Sequence, residues 1–255
     1  MKIAVFEAAG GNPTAICYET DCRKKDYGKL SRLIQKTCPQ VEQVGFYKAD
    51  SPLPRLDMAG GEFCGNAARS FACFLKELTF DQTRFTFKIS GFDSVVTAEV
   101  TQCSTTAFFC SAAFKDLTGR QKKHKINGKS LTIVDLGGIV HVVVNEDEFP
   151  FHETSIRKDM ETIRDILDIN CSALGLLRVR EENAQVFMKP VVWVKDINTC
   201  CYETACGSGS IAVALVKGKD VSVVQPSGKS IEVHFRGSTL VLASVMKKIH
   251  LPLNG

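Results

Sequence analysis

Two stretches of this chain read as copies of one another, and they constrain its folding more than any other feature. The first is Gly60-Gly61-Glu62-Phe63-Cys64-Gly65-Asn66-Ala67-Ala68-Arg69, and the second is Tyr202-Glu203-Thr204-Ala205-Cys206-Gly207-Ser208-Gly209-Ser210. Each runs from a Glu through a Cys-Gly pair and small or polar residues into an apolar segment of helical character, Ser70 to Leu78 in one and Ile211 to Val216 in the other. Each therefore sets a cysteine just before or at a helix N-terminus. Unpaired backbone N–H groups and the helix dipole favour negative charge there, so both thiol pKa values are expected to fall towards neutrality. The same N–H groups suit a ligand carboxylate.

Around these motifs strand and helix signals alternate. Lys2 to Glu7 reads as a strand and Ala8-Ala9-Gly10-Gly11-Asn12-Pro13 as a turn. Lys29 to Thr37 has helical spacing with Pro39 as its stop, and the segment from Glu42 to Tyr47 reads as a strand. Thr83 to Ile89, Val95 to Val100 and Thr106 to Ala113 alternate and are expected to be antiparallel strands. Lys115 to Lys129 is polar and carries the densest basic run, Lys122 to Lys125, so a solvated loop between lobes is expected. From Leu131 the order repeats: strands, a helix over Met160 to Ile166, further strands, the second cysteine motif and three more strands to Met246. The implied repeat is about 142 residues, the interval from Cys64 to Cys206. That length fits two homologous lobes of an α+β protein, residues 1–114 and 115–246, with a site in the cleft between them and a tail, 247–255, returning to the first lobe.

Eleven cysteines in 255 residues cannot all pair within the chain, and none forms a CxxC. The N-terminal segment reads as a strand with no apolar h-region, and no apolar run approaches the roughly 18 residues of a membrane helix. A reducing cytoplasm, mostly unpaired thiols, no membrane and no structural metal are expected. The net charge of +4 is mild and its basic residues are scattered, which argues against nucleic acid as a partner.

A thiolate and a thiol on opposite sides of a carbon acid suit stereoinversion: one removes the α-proton and the other delivers a proton to the opposite face. Backbone N–H groups of Gly65, Asn66, Gly207, Ser208 and Gly209 would stabilise the charge that develops on the carboxylate. Asn12 is a turn residue or a ligand contact; Glu42 and Gln43 are a solvated strand start or ligand contacts; His141 is a satisfied strand histidine or a ligand contact. Glu62, Glu203 and Arg69 read as helix-start charges, and Glu203 is also a candidate contact. The competing readings of the cysteines are buried hydrophobes, a Cys64–Cys206 disulfide, and a non-catalytic thiol or metal protein using Cys200, Cys201 and Cys206.

The two cysteine motifs, with Gly11-Asn12 near the start and Glu42-Gln43 before an apolar strand, resemble the diaminopimelate epimerase superfamily of cofactor-independent racemases and epimerases over essentially the whole chain. The resemblance implies that each lobe is an antiparallel sheet wrapped around a central helix. It also implies an acid/base pair in Cys64 and Cys206, an α-carboxylate cradle in Gly65-Asn66 and Gly207-Ser208, and substrate contacts at Asn12 and Gln43. It implies no cofactor. The family's grip on a distal zwitterion falls here on Ile197, Asn198, Ala173 and Gly138, which argues against diaminopimelate. Glu42-Gln43-Val44-Gly45-Phe46, the first cysteine motif and Gln225-Pro226-Ser227-Gly228-Lys229-Ser230-Ile231 resemble the histidine racemases of this fold, where a Glu matching Glu42 lies near the imidazole. The expected function is racemisation of histidine without pyridoxal phosphate by a two-base thiol mechanism. The alternatives are an epimerase or racemase of another amino acid and the thiol or metal protein. The expected partner is an amino acid, with the oligomeric state open between monomer and homodimer.

Overall fold

The computed structural model describes residues 1–49 and 52–250. The first half contains β1 (Lys2–Ala8), β2 (Gly11–Tyr18), α1 (Tyr27–Thr37), β3 (Gln43–Lys48), β4 (Arg55–Met58), α2 (Gly65–Leu78), β5 (Arg84–Ile89), β6 (Val96–Gln102) and β7 (Ala107–Lys115). The second contains β8 (Arg120–Ile126), β9 (Lys129–Asp135), β10 (Val140–Asn145), α3 (Ile156–Ile166), β11 (Ala173–Glu182), β12 (Gln185–Val194), β13 (Thr199–Tyr202), α4 (Gly207–Lys217), β14 (Val221–Val224), β15 (Ser230–Arg236) and β16 (Thr239–Ile249). The strands form one sheet, in the order β1-β2-β3-β4-β5-β6-β7-β16-β15-β14-β12-β11-β10-β9-β8, with β13 beside β12.

The long last strand decides the architecture. One edge of β16 pairs with β7 from Thr239↔Lys115 to Lys247↔Ala107. Its other edge pairs first with β15, from Thr239 to Ala243, and then with β1, from Met246↔Ala8 to Ile249↔Val5. Ser244 and Val245 lie at the fork. β1 to β7 and β16 thus close into an eight-strand barrel, which leaves no free edge among the described residues of that half.

This corrects the expectation of two homologous lobes, each an antiparallel sheet around a central helix. There is one continuous sheet, and only its first half closes; among the described residues no pairing joins β8 to the other end of the second half. The sheet is also mixed. β2–β3, β4–β5, β10–β11 and β12–β14 are parallel, and a helix lies between the two strands of each pair: α1, α2, α3 and α4 in turn. Parallel neighbours need such a crossover, which these helices supply, and alternation along a strand does not reveal the direction of its neighbour. The basic run Lys122 to Lys125 lies on β8, an exposed strand that among the described residues pairs only with β9, instead of in a loop. Charge on a strand edge discourages pairing with another chain. Residues 251–255 of the expected returning tail lie outside the described residues.

Alternation sorts the side chains. Phe6, Ile16, Leu56, Phe87, Phe108 and Phe114 point into the barrel, where they meet α2, buried along nearly its whole length. Phe71 of α2 meets Phe87 edge-on at 5.1 Å. The intervening residues Ala15, Cys17, Val44 and Phe46 face outward and carry Tyr27 and Ile34 of α1; Tyr27 stacks on Phe46 with ring centroids 3.9 Å apart. In the second half Met160 and Ile163 of α3 cover Val142, Leu174 and Leu176, while α4 packs on the opposite face. Among the described residues no helix is long and apolar enough to cross a membrane.

Candidate active site

Cys64 and Cys206 are the N-caps of α2 and α4, with nearly identical extended backbones (φ −134°, ψ 109° and φ −137°, ψ 107°). The helices begin at the next residue, so the sequence placed both starts correctly. The two N-termini abut. A methyl group on Gly207 would lie 2.8 Å from Asn66 Oδ1 and 2.9 Å from Leu242, and one on Gly65 would lie 3.3 Å from the Gly207 carbonyl carbon. Only glycine permits this approach. Gly207→Ala is therefore expected to separate the helix starts. Overpacking costs about 1–3 kcal/mol, partly offset by better helix propensity. A displacement near 1 Å at the reacting groups costs about a hundredfold in rate. Thermal melts paired with turnover should show a small Tm loss beside a large activity loss.

A chain of polar contacts links the two thiols. Cys64 Sγ donates to Gln43 Oε1 at 2.8 Å, and Gln43 Nε2 donates to Glu203 Oε1 at 2.8 Å. Glu203 in turn contacts the Cys206 thiol. The Ala67 N–H donates to Cys64 Sγ at 3.3 Å, and Ser208 Oγ lies 3.7 Å from Cys206 Sγ. Cys206 N–H donates to Gln225 Oε1 at 2.8 Å, which ties the second cap to the residues after β14.

The expected lowering of the thiol pKa values is not found. Burial, reinforced by the charge of Glu203, pushes the Cys64 thiol up to about 12 against the opposing N–H groups of Ala67 and Asn66. Burial also raises Cys206 well above its ordinary value. Desolvation disfavours the charged form over the whole site, whereas a helix N-terminus acts only within its first turn. The carboxyls follow the same logic. Burial raises Glu203 to about 8 and Glu62 to about 7, and raises Glu42 as well. Glu62 and Glu203 are thus buried groups rather than solvated helix-start charges. Arg69 is fully buried too: its guanidinium donates to Gly65 O, Asn66 Oδ1 and Ser244 Oγ. Burial lowers its pKa only to about 10, so it remains a cation at neutral pH.

The other expected residues divide into two groups. Asn12, Glu42, Gln43 and Glu203 converge. Asn12 Nδ2 donates to Glu42 Oε2 at 3.1 Å, and Glu42 also accepts from the Thr204 hydroxyl. Asn12 lies within β2, just past the Ala9-Gly10 turn in which the sequence placed it, with φ 47° and no exposure. Asn66 Nδ2 donates to Ala205 O at 3.0 Å, joining the two motifs. His141 stands behind the caps: its Nε2 lies 3.0 Å from Ser208 Oγ, and burial drives its pKa down to about 3, which keeps it neutral. Gly209 is held between Leu177, Met188 and Cys206 Sγ. Thr204 and Gln225 were in recognised stretches but had no assigned role. Thr204 Oγ1 accepts from Asn12 N at 2.6 Å across 192 residues of sequence, a contact with no local signal. Among the described residues no three His, Cys, Asp or Glu side chains converge to hold a metal ion.

The family described as the histidine racemase CntK N-terminal domain matches residues 10–249. A histidine racemase of Fusobacterium nucleatum subsp. nucleatum is 33% identical over 229 residues, covering 86% of this chain and 84% of its own. A histidine racemase of Staphylococcus aureus is 25% identical over 233 residues, covering 86% and 83%. Among solved structures, a predicted epimerase from Pseudomonas aeruginosa superposes with a TM-score of 0.66 at 10% identity, over 97% of this chain and 96% of that one. A phenazine biosynthesis protein of the PhzF family from Enterococcus faecalis superposes with a TM-score of 0.57 at 12% identity, over 98% of each. At such identities the structures speak to fold alone, and the fold is PhzF-like.

Proposed function

The chain belongs to the histidine racemase CntK N-terminal domain family and is an isomerase of the racemase class, and from that premise we propose that it interconverts L- and D-histidine without pyridoxal phosphate, through the two thiols Cys64 and Cys206. The observation that carries this reading is the matched pair of N-cap cysteines on helices whose first turns touch. In the proposed reaction one thiolate takes the α-proton and the opposite thiol delivers a proton to the other face. The proton count is unchanged and the two sulfurs exchange roles. N–H groups of Gly65, Asn66, Gly207 and Ser208 hold the substrate carboxylate as it gains enediolate charge. The buried Glu42 and Glu203 favour the α-ammonium. Burial makes each thiolate hard to form and correspondingly basic.

Proton NMR of L-histidine in deuterated buffer, followed by chiral chromatography, tests the reaction and the substrate together. Loss of the α-proton signal with appearance of D-histidine is expected in dialysed, cofactor-free protein. Exchange of other amino acids but not histidine would overturn the substrate; no exchange of any amino acid under reducing conditions would overturn the mechanism.

A further inference from the structure

Arg69 is a buried charge to which the proton transfers give no role. Its side chain is wholly buried, and among the described residues no carboxylate pairs with it. An arginine is almost never fully buried unless it is paired, because an isolated charge in a dry interior is costly. The thiols around it do not supply the missing anion. Burial raises Cys64, Cys73 and Cys206 above their ordinary values, which holds the resting thiols in their neutral form.

The hydrogen bonds of the guanidinium show where its charge is directed. Nε donates to Gly65 O at 3.3 Å. That carbonyl shares a peptide unit with the N–H of Asn66, one of the groups proposed to hold the substrate carboxylate. One Nη donates to Asn66 Oδ1, and Asn66 Nδ2 donates in turn to Ala205 O at 3.0 Å. The Ala205 carbonyl shares its own peptide unit with the N–H of Cys206. The other Nη donates to Ser244 Oγ, whose proton goes to Val245 O, so the group is fastened at the fork of β16. One cation therefore bears on the first peptide unit of α2 and, through the Asn66 amide, on the cap of α4. Groups joined in such a chain polarise one another, and a dry interior screens the effect little. Both site thiols lie within reach of the same charge.

We propose that Arg69 is a positioning residue whose charge the reaction itself balances: it holds Asn66 across the two helix starts and strengthens the N–H groups that take up the enediolate. The inference rests on the two-thiol racemisation proposed above. When a thiolate takes the α-proton, the C–H bond breaks and an S–H bond forms. The C–H electron pair becomes the second bond between Cα and the carboxylate carbon, and the C=O electron pair moves onto oxygen. A negative charge has thus passed from sulfur to the carboxylate, which now carries two. Collapse of the enediolate onto a proton from the opposite thiol returns the charge to the other sulfur. Arg69 is hydrogen-bonded into the carboxylate cradle and to neither sulfur. It therefore favours the state with the charge on the carboxylate, which is the one that limits the rate.

The test measures kcat and KM for histidine in the wild type, Arg69→Gln and Arg69→Ala, with thermal melts on each protein to verify folding. Arg69→Gln removes the charge and keeps an N–H donor for Asn66. Its kcat is expected to fall about a hundredfold. Its KM is expected to rise by no more than about threefold, because the second charge exists only towards the transition state. Arg69→Ala leaves room for a free guanidinium ion. It is assayed with guanidinium and separately with urea, a planar neutral molecule of similar shape, both well below denaturing concentration. Guanidinium is expected to raise its kcat at least about tenfold, and urea to leave it unchanged. If Arg69→Ala does not fold, Arg69→Gln decides alone. A kcat for Arg69→Gln within about threefold of the wild type would overturn the inference, as would a loss confined to KM. Equal rescue by urea and guanidinium would also overturn it, since shape and hydrogen bonds alone would then suffice. If histidine is inert and another amino acid exchanges its α-proton with the same dependence on Arg69, the substrate reading falls and the role of Arg69 stands. If the wild type exchanges the α-proton of no amino acid, the two-thiol reading falls and this inference falls with it.

Discussion

Cys64→Ser and Cys206→Ser are each expected to lower racemisation of histidine by about a thousandfold or more while the protein still folds. Serine keeps the shape of the side chain and is itself a favoured N-cap, so both helix starts survive the exchange. The chemistry does not survive. A serine hydroxyl in this dry site ionises far less readily than a thiol whose own pKa burial already pushes to about 12 at Cys64. In the proposed mechanism each direction uses one sulfur as base and the other as acid, so neither variant should retain substantial turnover in either direction. Chiral chromatography from both enantiomers, with circular dichroism as the folding control, measures this. Turnover near the wild-type level in either variant would remove the two-base assignment. Equal helicity and melting behaviour with lost turnover would set aside the reading of these residues as core cysteines that merely precede helices.

The second large effect is one of stability. Arg69→Ala is expected to lower the unfolding free energy by about 3–5 kcal/mol. Among the described residues Arg69 is the largest side chain that is wholly buried, and no carboxylate pairs with it. Its guanidinium fastens three places at once: the first turn of α2 at Gly65, the amide of Asn66, and Ser244 at the fork of β16. Truncation opens a cavity and leaves those three acceptors unmet. Its charge is also felt by both site thiols, so the residue couples the fork to the helix starts. Arg69→Met separates the contributions. It restores much of the packing and removes the buried charge, so stability should recover in part, whereas turnover should stay low because Asn66 is released. Urea denaturation of both variants gives the comparison. A loss under about 1 kcal/mol for Arg69→Ala would mean that solvent reaches the site on a small local rearrangement.

The site was legible in its local parts. Glu42 and Gln43 at the approach to β3, Asn12 near the start of β2, and Glu203 before the second cap do converge. The meaning of their charges was not legible. Glu62 and Arg69 look like ordinary charges at a helix start, and only the surrounding barrel shows that both are buried. Thr204 gave no signal because its partners lie 192 and 162 residues away.

What the sequence determined by itself is what local physics controls. Capping and dipole effects act within one turn, so Cys-Gly followed by an apolar run placed both cysteines at helix starts. The two-residue period of a strand acts within a few residues, so most strands and the faces they bury could be read. The tertiary structure decided the rest. Which strands run parallel, where β16 leaves β15 for β1 to close the barrel, and which polar groups meet across 160 residues are set by long-range pairing. The ionisation of the site is set there too, because desolvation is a property of everything packed around a group, and it outweighs the helix N-terminus that the sequence alone displays.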